Sequence, residues 1–580
     1  MAAYTAPLRD MTLSMNLAGM DTIAALPGYE DASPDLVAAV LEEAGRFGAQ
    51  ELAPLNIASD REGSVLENGV VRTYSGLKAF YGQFVEAGWN AVPFDPTYGG
   101  QGLPWLVASA VQEIWQSANC AFALCPMLSQ GAVESLSSHG SDAQKALYLP
   151  KMISGEWTGT MNLTEPQAGS DLARVRTKAV RASDHYLITG QKIFITYGDH
   201  DLTENIIHMV LARLPDAPEG VKGISLFIVP KVMVNADGSL GDRNDVRCVS
   251  LEHKLGIHGS PTAVMAFGDD GGAIGYLVGE ENRGLEYMFT MMNNARLQVG
   301  LQGVAVAERA LQQAVAYAKD RVQSRPVSGG RDPVAIIEHP DVRRMLMTAK
   351  ALTEASRHLA YTAVAALDIS HKSPDPAAAA AAEARVALLT PVVKAWSTDI
   401  GVRVADLGVQ VHGGVGYIEE TGAAQHYRDA RIAPIYEGTN GIQAADLMGR
   451  KVQRDKGAEM TRLLAEMRSG LAALPSDQAA ALAAACDRLE RVTAWALTAN
   501  AVDSAAAATP FLRLTGLTVG GWLMAAAAAL AAKGEDAAFA ADKAATAAFF
   551  LRHLLPETAS LEADVMAGGD AVMALAVDRF

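Results

Sequence analysis

Apolar positions recur with helical spacing through most of the first 160 residues. Ser33 and Pro34 stand before one apolar run as an N-cap and first-turn pair, which is typical of a helix start. The segment 92–100 interrupts the pattern with Pro, Asp and Gly residues and predicts an irregular loop. We therefore expect an N-terminal helical domain over this part of the chain.

The pattern changes to short runs of β-branched and aromatic residues between residues 161 and 283. Residues 224–229 are one such run, bounded by turn residues, which is typical of a β-strand. Residues 187–189 and 193–196 flank a Gly-Gln-Lys sequence at 190–192, so a hairpin is expected there. Closely spaced strands without helices between them predict an antiparallel sandwich or barrel.

Helical periodicity returns after Gly284. One helix face is marked by apolar residues spaced four, three, seven and four apart: Leu297, Leu301, Val304, Leu311 and Val315. A charged stretch at 450–456 precedes an Ala-rich segment, and Ala is the strongest helix former. These patterns predict an α+β fold with an N-terminal helical domain (1–160), a central antiparallel β-barrel or sandwich (161–283), a C-terminal helical bundle (284–455) and an additional C-terminal helical domain (456–580).

Charge and cysteine usage narrow the class of protein. The 580 residues include 48 Lys and Arg against 65 Asp and Glu, a formal charge of −17, which disfavours nucleic-acid binding and docking on anionic lipid. The four cysteines form no CxxC pair, and no metal-ligand spacing is present, so we expect neither a disulfide framework nor a metal site. The first 30 residues lack the pattern of a secretory signal, which favours a cytoplasmic protein.

One apolar stretch, from Leu514 to Ala532, lacks charged residues over a length that could span a bilayer. Much of it is Ala and Gly, which are only weakly hydrophobic. We therefore expect a buried helix of a bundle here and no membrane span.

A polar loop that includes Thr164, Gly169 and Ser170 follows the run at 159–163. Gly169 would let backbone N–H groups approach a ligand closely, and the two hydroxyls can bond polar ligand atoms. Such a loop could hold a phosphate or a polar ring edge. An ordinary loop with Asx and Ser turns has the same composition, so the residues alone leave both interpretations open.

Two further segments have a functional and a structural interpretation. The glycines around His412 and Gly414 permit close approach to a ligand, but the spacing is not a dinucleotide fingerprint, and a lone histidine is more often structural. Arg321, with Gln323, follows the end of the long predicted helix. An arginine there could clamp a phosphate with two hydrogen bonds, or it could simply be solvated.

Glu437 is the candidate general base. It lies just before a predicted helix start that Thr439 or Asn440 can cap. Apolar neighbours would raise the pKa of its carboxyl, and the helix N-terminus would lower it. A carboxylate between these influences can act as a base, although an exposed loop acid explains the sequence equally well.

Together these motifs resemble the acyl-CoA dehydrogenase flavoproteins. The resemblance keeps the same order from about residue 30 to about residue 450, and the segment 255–262 is similar to the branch with a C-terminal helical extension. Phe194 stands where the family usually has Trp beside the flavin, and a short insertion at roughly residues 328–335 separates the chain from smaller members.

The resemblance implies FAD as cofactor, with contacts from Met161, Leu163, Thr164, Gly169, Ser170, Phe194, Thr196, Arg321, Gln323, Gln410, Gly414 and Thr439. It also implies acyl-CoA contacts from Ser170, Asn293, Arg296 and Gly438. Glu437 would remove the α-proton of the thioester as a hydride leaves the β-carbon for flavin N5, giving the trans-2-enoyl-CoA. The Glu437 N–H and a ribityl hydroxyl would stabilise the charge on the thioester oxygen.

The same resemblance implies partners and leaves alternatives open. An electron-transfer flavoprotein is the expected acceptor, and a cross-subunit role for Arg321 implies a homodimer or homotetramer. A medium- or long-chain acyl-CoA dehydrogenase or an acyl-CoA oxidase would have the same motifs. A DNA-associated flavoprotein of this fold is disfavoured by the charge of −17 and by the absence of a basic C-terminal run in the sequence.

Overall fold

The structure, a computed structural model, describes residues 3–580. These residues form two units. The helical unit comprises residues 3–45, Pro104–Ser117 and Arg296–Phe580, and the sheet unit comprises Arg46–Leu103 and Ala118–Ala295.

Helices account for most of the described chain. The α-helices within residues 3–580 are α1 (Leu8–Leu17), α2 (Met20–Ala24), α3 (Pro34–Phe47), α4 (Asn56–Arg61), α5 (Leu77–Glu86), α6 (Trp105–Ala118), α7 (Cys120–His139), α8 (Asp142–Ser154), α9 (Gly284–Asp320), α10 (Pro340–Lys372), α11 (Pro376–His412), α12 (Ala423–Ala430), α13 (Asn440–Ala445), α14 (Ala458–Ser469), α15 (Ser476–Ala496), α16 (Ala501–Ala531), α17 (Ala537–Phe549) and α18 (Thr558–Met566). The strands are β1 (Val65–Glu67), β2 (Val70–Arg72), β3 (Trp157–Asn162), β4 (Lys178–Arg181), β5 (Tyr186–Thr196), β6 (Asn205–Arg213), β7 (Ile224–Pro230), β8 (Val232–Val234), β9 (Leu240–Arg243), β10 (Val246–Leu251), β11 (Thr262–Phe267) and β12 (Ala273–Leu277).

A closed ring of strands forms the centre of the sheet unit. Around the ring, β5 pairs with β12, β12 with β7, β7 with β6, β6 with β4, and β4 with β5. The C-terminal half of β5 pairs with β11, which pairs with β10, so this long strand joins two ladders. The barrel expected from the strand spacing is confirmed, and its core includes the buried side chains of Val210, Phe227 and Phe267.

Two pairings in this unit are parallel and depart from the expected antiparallel pattern. β3 runs parallel to β6 along its whole length, and β4 meets β6 at the single parallel pair Lys178–Arg213. Parallel neighbours need a crossover connection of about a dozen residues or more. The β4–β5 segment lies between β3 and β6 in the chain and supplies that crossover.

The hairpin expected at residues 190–192 is wrong, because Tyr186–Thr196 is one unbroken strand. Gly190 is required by space and not by a turn, since a Cβ on this residue would lie 2.6 Å from the Thr177 Oγ1 atom. A true hairpin joins β1 and β2. It turns at Asn68 and Gly69, whose φ values of 52° and 77° are those that a type I′ turn requires.

The helices expected in the helical unit are present. α9 buries Leu297, Leu301 and Val304 and ends one residue before Arg321. At the start of α3, the Ser33 hydroxyl oxygen accepts a hydrogen bond of 3.3 Å from the Leu36 N–H, as expected of an N-cap.

Helix α16 connects the C-terminal extension to the rest of the helical unit, because it packs on α10, α11 and α13. Its glycines allow a close approach to the indole of Trp396 on α11. A Cβ at Gly516 would lie 2.5 Å from the indole Cγ, and a Cβ at Gly520 would lie 2.6 Å from Cη2.

We expect Gly516→Ala to lower the stability of the protein by about 1–3 kcal/mol, because the methyl group forces Trp396 or the helix to move. Gly82→Ala is the matched control, since Gly82 lies in α5 and a Cβ there would meet no atom within 4 Å. The control is expected to be neutral or to stabilise by about 0.5–1 kcal/mol. Thermal unfolding measures both, and equal melting temperatures for the two variants would contradict the close contact.

Among the described residues, 3–580, two helices are long and apolar enough to cross a membrane by length and composition alone. They are Pro376–Tyr417 and Ala501–Ala531, and the second contains the apolar stretch that begins at Leu514. In the most apolar window of the second helix 72% of the residues are buried within the protein, against 39% in the first. Core helices of soluble proteins meet the same criterion, so this is weak evidence for a membrane span.

Candidate active site

The loop before α13 places Glu437 on a strained turn of the helical unit. Glu437 has a φ of 55° and Gly438 a φ of 82°, so two successive residues adopt the left-handed conformation. A non-glycine residue in this region costs of order 1–3 kcal/mol and is most often found at functional sites. Thr439 then caps α13, because its hydroxyl oxygen accepts from the Ile442 N–H at 3.2 Å.

The surroundings of Glu437 favour the neutral form of its carboxyl. Burial raises the pKa of Glu437 to about 7, and the positive charges of Arg296 and Lys394 oppose that rise. The increase expected from apolar neighbours is therefore present. Arg296 comes from α9, and its Nη2 atom lies 3.8 Å from the position that a Cβ would take at Gly438.

Several side chains of the helical unit hold this turn by its backbone. Gln443 donates from Nε2 to the Glu437 carbonyl at 3.2 Å, and Lys394 donates from Nζ to the Gly438 carbonyl at 2.8 Å. The Tyr436 hydroxyl donates to the Oε1 atom of Gln302 on α9. These bonds fix the direction in which the Glu437 side chain leaves the turn.

The polar loop of the sheet unit is held by a buried ion pair. Glu165 accepts from the Lys192 ammonium at 2.8 Å, from the Thr177 hydroxyl at 2.6 Å and from the Arg176 N–H at 2.7 Å. Burial alone would raise the pKa of the Glu165 carboxyl, but the Lys192 charge and these hydrogen bonds bring it below its usual value. Lys192 also donates to the Leu163 carbonyl at 3.0 Å, which ties the loop to β5.

The surface next to this loop fits a flat, partly apolar group. Phe194 is 58% exposed and has a φ of 60°, which is an outlier for a bulky residue. The Thr164 carbonyl accepts from the Ile193 N–H at 2.9 Å, so the loop lies beside Phe194. Gly169 and Ser170 are exposed, and a Cβ at Gly169 would meet no atom within 4 Å. An aromatic face beside open backbone and hydroxyl groups is suited to a flavin ring with its polar edge.

The remaining residues predicted from the sequence are divided between the sheet unit and the helical unit. Met161 and Leu163 lie at the end of β3, Thr196 ends β5, and Asn293 lies on α9 within the sheet unit. Within the helical unit, Arg296, Glu437, Gly438 and Thr439 come together at the strained turn.

A second group in the helical unit does not join that turn. Gln410 lies near the end of α11 and Gly414 just after it, while Arg321 and Gln323 follow the end of α9, where Tyr317 stacks on His412 at 4.4 Å. Gln410 is sixteen residues from Lys394 on the same helix, which is about 24 Å along its axis. The second group therefore lies at the C-terminal end of α11, whereas the Glu437 turn is bonded to the middle of that helix.

Sequence reasoning missed the residues that hold these loops. Lys192, Glu165, Lys394 and Gln443 were not candidates, although each is buried and bonded to a loop backbone. The usable signal was a single Lys inside an apolar helical run, as at Lys394. Among residues 3–580, no group of three or more His, Cys, Asp or Glu residues could hold a metal ion.

Family models match nearly the whole chain. They are acyl-CoA dehydrogenase, N-terminal domain (residues 37–156), acyl-CoA dehydrogenase, middle domain (160–269), acyl-CoA dehydrogenase, C-terminal domain (282–452), and acetyl-CoA dehydrogenase C-terminal like (458–576). The chain belongs to the acyl-CoA dehydrogenase family. It is an enzyme that dehydrogenates acyl-CoA thioesters with FAD as cofactor.

Individual relatives narrow the position within the family. The chain is 50% identical to the 3-methylmercaptopropionyl-CoA dehydrogenase of Ruegeria pomeroyi, over 98% of this chain and 99% of the relative. It is 37% identical to a butyryl-CoA dehydrogenase of Syntrophomonas wolfei, over 87% of each chain. An acyl-CoA dehydrogenase from Bacillus anthracis, solved in complex with FAD, has the same fold with a TM-score of 0.76 and 21% identity, over 94% of this chain and 90% of that one.

Proposed function

We propose that Glu437 is the base that removes the α-proton of the acyl-CoA thioester. The observation that carries this proposal is the strained turn, where burial raises the pKa of Glu437 to about 7 beside two cationic side chains. A base with a pKa near the working pH is the most effective proton acceptor. FAD, when bound, supplies the acceptor for the hydride that leaves the β-carbon.

The backbone of the same turn is suited to stabilise the charge that develops on the thioester oxygen. Within residues 3–580, the Glu437 N–H bonds to no protein acceptor, so it is available to a ligand. Donors already fixed in position stabilise such charge without reorganisation. Gly438 and Arg296 beside it, with Ser170 and Asn293 of the sheet unit, are the proposed acyl-CoA contacts.

The proposed substrate is 3-methylmercaptopropionyl-CoA, and the proposed product is methylthioacryloyl-CoA. The support is the 50% identity to the relative of that name, which extends over 98% of the chain and so includes the C-terminal extension. A butyryl-CoA dehydrogenase of Syntrophomonas wolfei and a broad-specificity linear acyl-CoA dehydrogenase of Mycobacterium tuberculosis are less similar, at 37% and 33% identity.

The proposed FAD contacts form two sets. The first set consists of Met161, Leu163, Thr164, Gly169, Ser170, Phe194, Thr196 and Thr439. The second set consists of Arg321, Gln323, Gln410 and Gly414, near the C-terminal end of α11. Gln410 lies about 24 Å along α11 from Lys394, which holds the Glu437 turn, and Arg321, Gln323 and Gly414 belong to the same group near the end of that helix. This separation supports their belonging to the cofactor site of a second copy of the chain. A homodimer or homotetramer follows from this proposal.

Other expectations from the sequence stay proposals. They are an electron-transfer flavoprotein as acceptor, a cytoplasmic location, and the division of the chain into domains at 1–160, 161–283, 284–455 and 456–580. We also propose that the protein acts without contact to nucleic acid or insertion into a membrane.

Steady-state kinetics with a panel of acyl-CoAs tests the substrate. We expect the highest kcat/KM with 3-methylmercaptopropionyl-CoA, measured against butyryl-, octanoyl- and palmitoyl-CoA with an electron-transfer flavoprotein or artificial acceptor. A higher kcat/KM with octanoyl- or palmitoyl-CoA would favour a medium- or long-chain enzyme. Stoichiometric peroxide in air without that acceptor would identify an oxidase, and retention of DNA at physiological salt would favour a DNA-associated flavoprotein.

The rate of flavin reduction by substrate is expected to increase about tenfold between pH 6 and pH 8. Because the pKa of Glu437 is about 7, its carboxyl is mostly protonated and inactive below that pH and ionised above it. Anaerobic stopped-flow absorbance across this range measures the effect. A rate that is already constant from pH 5.5 upward would show that another group, or a carboxylate with an ordinary pKa, accepts the proton.

A further inference from the structure

Lys394 occupies an unusual position behind the Glu437 turn. It lies in the middle of α11 between buried apolar residues and is 0% exposed. Its ammonium donates to the Gly438 carbonyl at 2.8 Å and to the Asn440 Oδ1 atom at 2.9 Å. A buried ammonium is costly, and here the acceptors of its two hydrogen bonds are neutral.

Asn440 extends this connection from the turn into α11. Its amide donates to the Ala395 carbonyl at 3.0 Å, to the Thr398 hydroxyl at 3.0 Å and to the Asp399 carboxylate at 2.8 Å. The residues at both sides of Thr439 are therefore held to one stretch of α11. The turn cannot move relative to that helix unless these bonds break.

We propose that Lys394 is a positioning residue for catalysis, which fixes the Glu437 turn through Gly438 and Asn440 and places an ammonium group behind the base. This inference rests on the proposed role of Glu437. It adds a second requirement for catalysis. The turn that carries the base must be held in place by Lys394, which in this proposal contacts neither substrate nor cofactor.

The charges around Lys394 agree with such a role. Burial lowers the pKa of Lys394 to about 7, while the carboxylates of Glu437 and Asp399 oppose that decrease and Arg296 adds to it. Asp399 in turn faces Arg431 and the α16 residue Arg513. Because Lys394 lowers the pKa of Glu437, its removal leaves the base with a higher pKa.

The test is Lys394→Met, which keeps the length of the side chain and removes its charge and hydrogen bonds. We expect FAD to stay bound, the rate constant of flavin reduction to fall by about 100-fold from misplacement of the base, and the acidic limb of the pH profile to move upward by about 1 unit. Asn440→Ala removes the bonds of Asn440 to α11 but keeps the charge of Lys394 and its bond to Gly438, so it should lower the rate without moving the limb.

Lys543→Met is the matched control. Lys543 is another buried lysine of the helical unit, and it pairs with Glu354 at 2.9 Å and with Asp10. Its loss is expected to lower the melting temperature without changing the pH profile. If Lys394→Met does not fold, Lys394→Gln is the alternative, because Gln keeps an N–H donor group but lacks the charge. It should still move the acidic limb of the pH profile.

A wild-type rate and an unmoved pH profile in the folded Lys394 variant would overturn the inference. So would a rate loss that Lys543→Met reproduces, because the effect would then be one of general stability. Glu437→Gln separates this failure from that of the proposed function. If Glu437→Gln is inactive while Lys394→Met resembles wild type, only the role of Lys394 is lost.

Discussion

Replacing Glu437 with Gln is expected to lower the rate of acyl-CoA oxidation by about 10²–10⁴-fold or more while FAD stays bound. Gln has nearly the shape of Glu, but its neutral amide cannot take the proton from the α-carbon of the substrate. The turn itself should persist, because its bonds from Gln443 and Lys394 go to backbone carbonyls and not to the Glu437 side chain. Turnover with an artificial acceptor, normalised to the FAD content of each preparation, measures the loss.

Glu383→Gln is the control for this substitution. Glu383 is an exposed acid on α11 and has no place in the proposed site, so its variant should retain wild-type turnover. Equal activity of Glu437→Gln and Glu383→Gln would remove Glu437 from the mechanism. Loss of FAD from Glu437→Gln would show instead that the substitution acts on cofactor binding.

Replacing Arg357 with Met is expected to destabilise the protein by about 3–5 kcal/mol, the largest effect on stability that we expect. Arg357 is 1% exposed and donates to Glu113 at 2.9 Å and to Glu308 at 2.7 Å, and Tyr361 also donates to Glu113. Removing the cation leaves two carboxylates buried without their partner. The apparent melting temperature and the urea midpoint measure the loss.

Arg552→Met provides the comparison at the surface. Arg552 pairs with Asp477 at 2.8 Å, but both side chains are more than half exposed. Such pairs contribute about 0–1 kcal/mol because water screens them. If Arg357→Met melted at the same temperature as Arg552→Met, the buried network would have no special part in stability.

The coarse fold could be predicted from hydrophobic periodicity, since a buried helix face and a buried strand face impose different spacings on the sequence. Gly190 shows where this reasoning ends. A glycine between two β-rich runs indicates a turn locally, but here it is required by Thr177, which comes opposite Gly190 only through the pairing of β4 with β5. The Asn68-Gly69 turn, in contrast, had a local signal that could have been used.

The candidate site could be predicted only in part, for a similar reason. Glu437 and Thr439 lie beside a helix start, and the cap is readable from the sequence. Lys394 is more than forty residues away from Glu437 in the chain, and only the packing of α13 on α11 brings them together. Contacts of this kind depend on tertiary structure, so no local pattern could have assigned Lys394 to the turn.

The most direct test of the account is an anaerobic titration of the purified protein with 3-methylmercaptopropionyl-CoA, followed by flavin absorbance. We predict a yellow protein. The substrate should bleach the flavin of the wild-type enzyme but not that of Glu437→Gln at the same FAD content. A colourless protein that takes up no flavin, or a flavin that the wild-type enzyme leaves oxidised with every acyl-CoA tried, would contradict it.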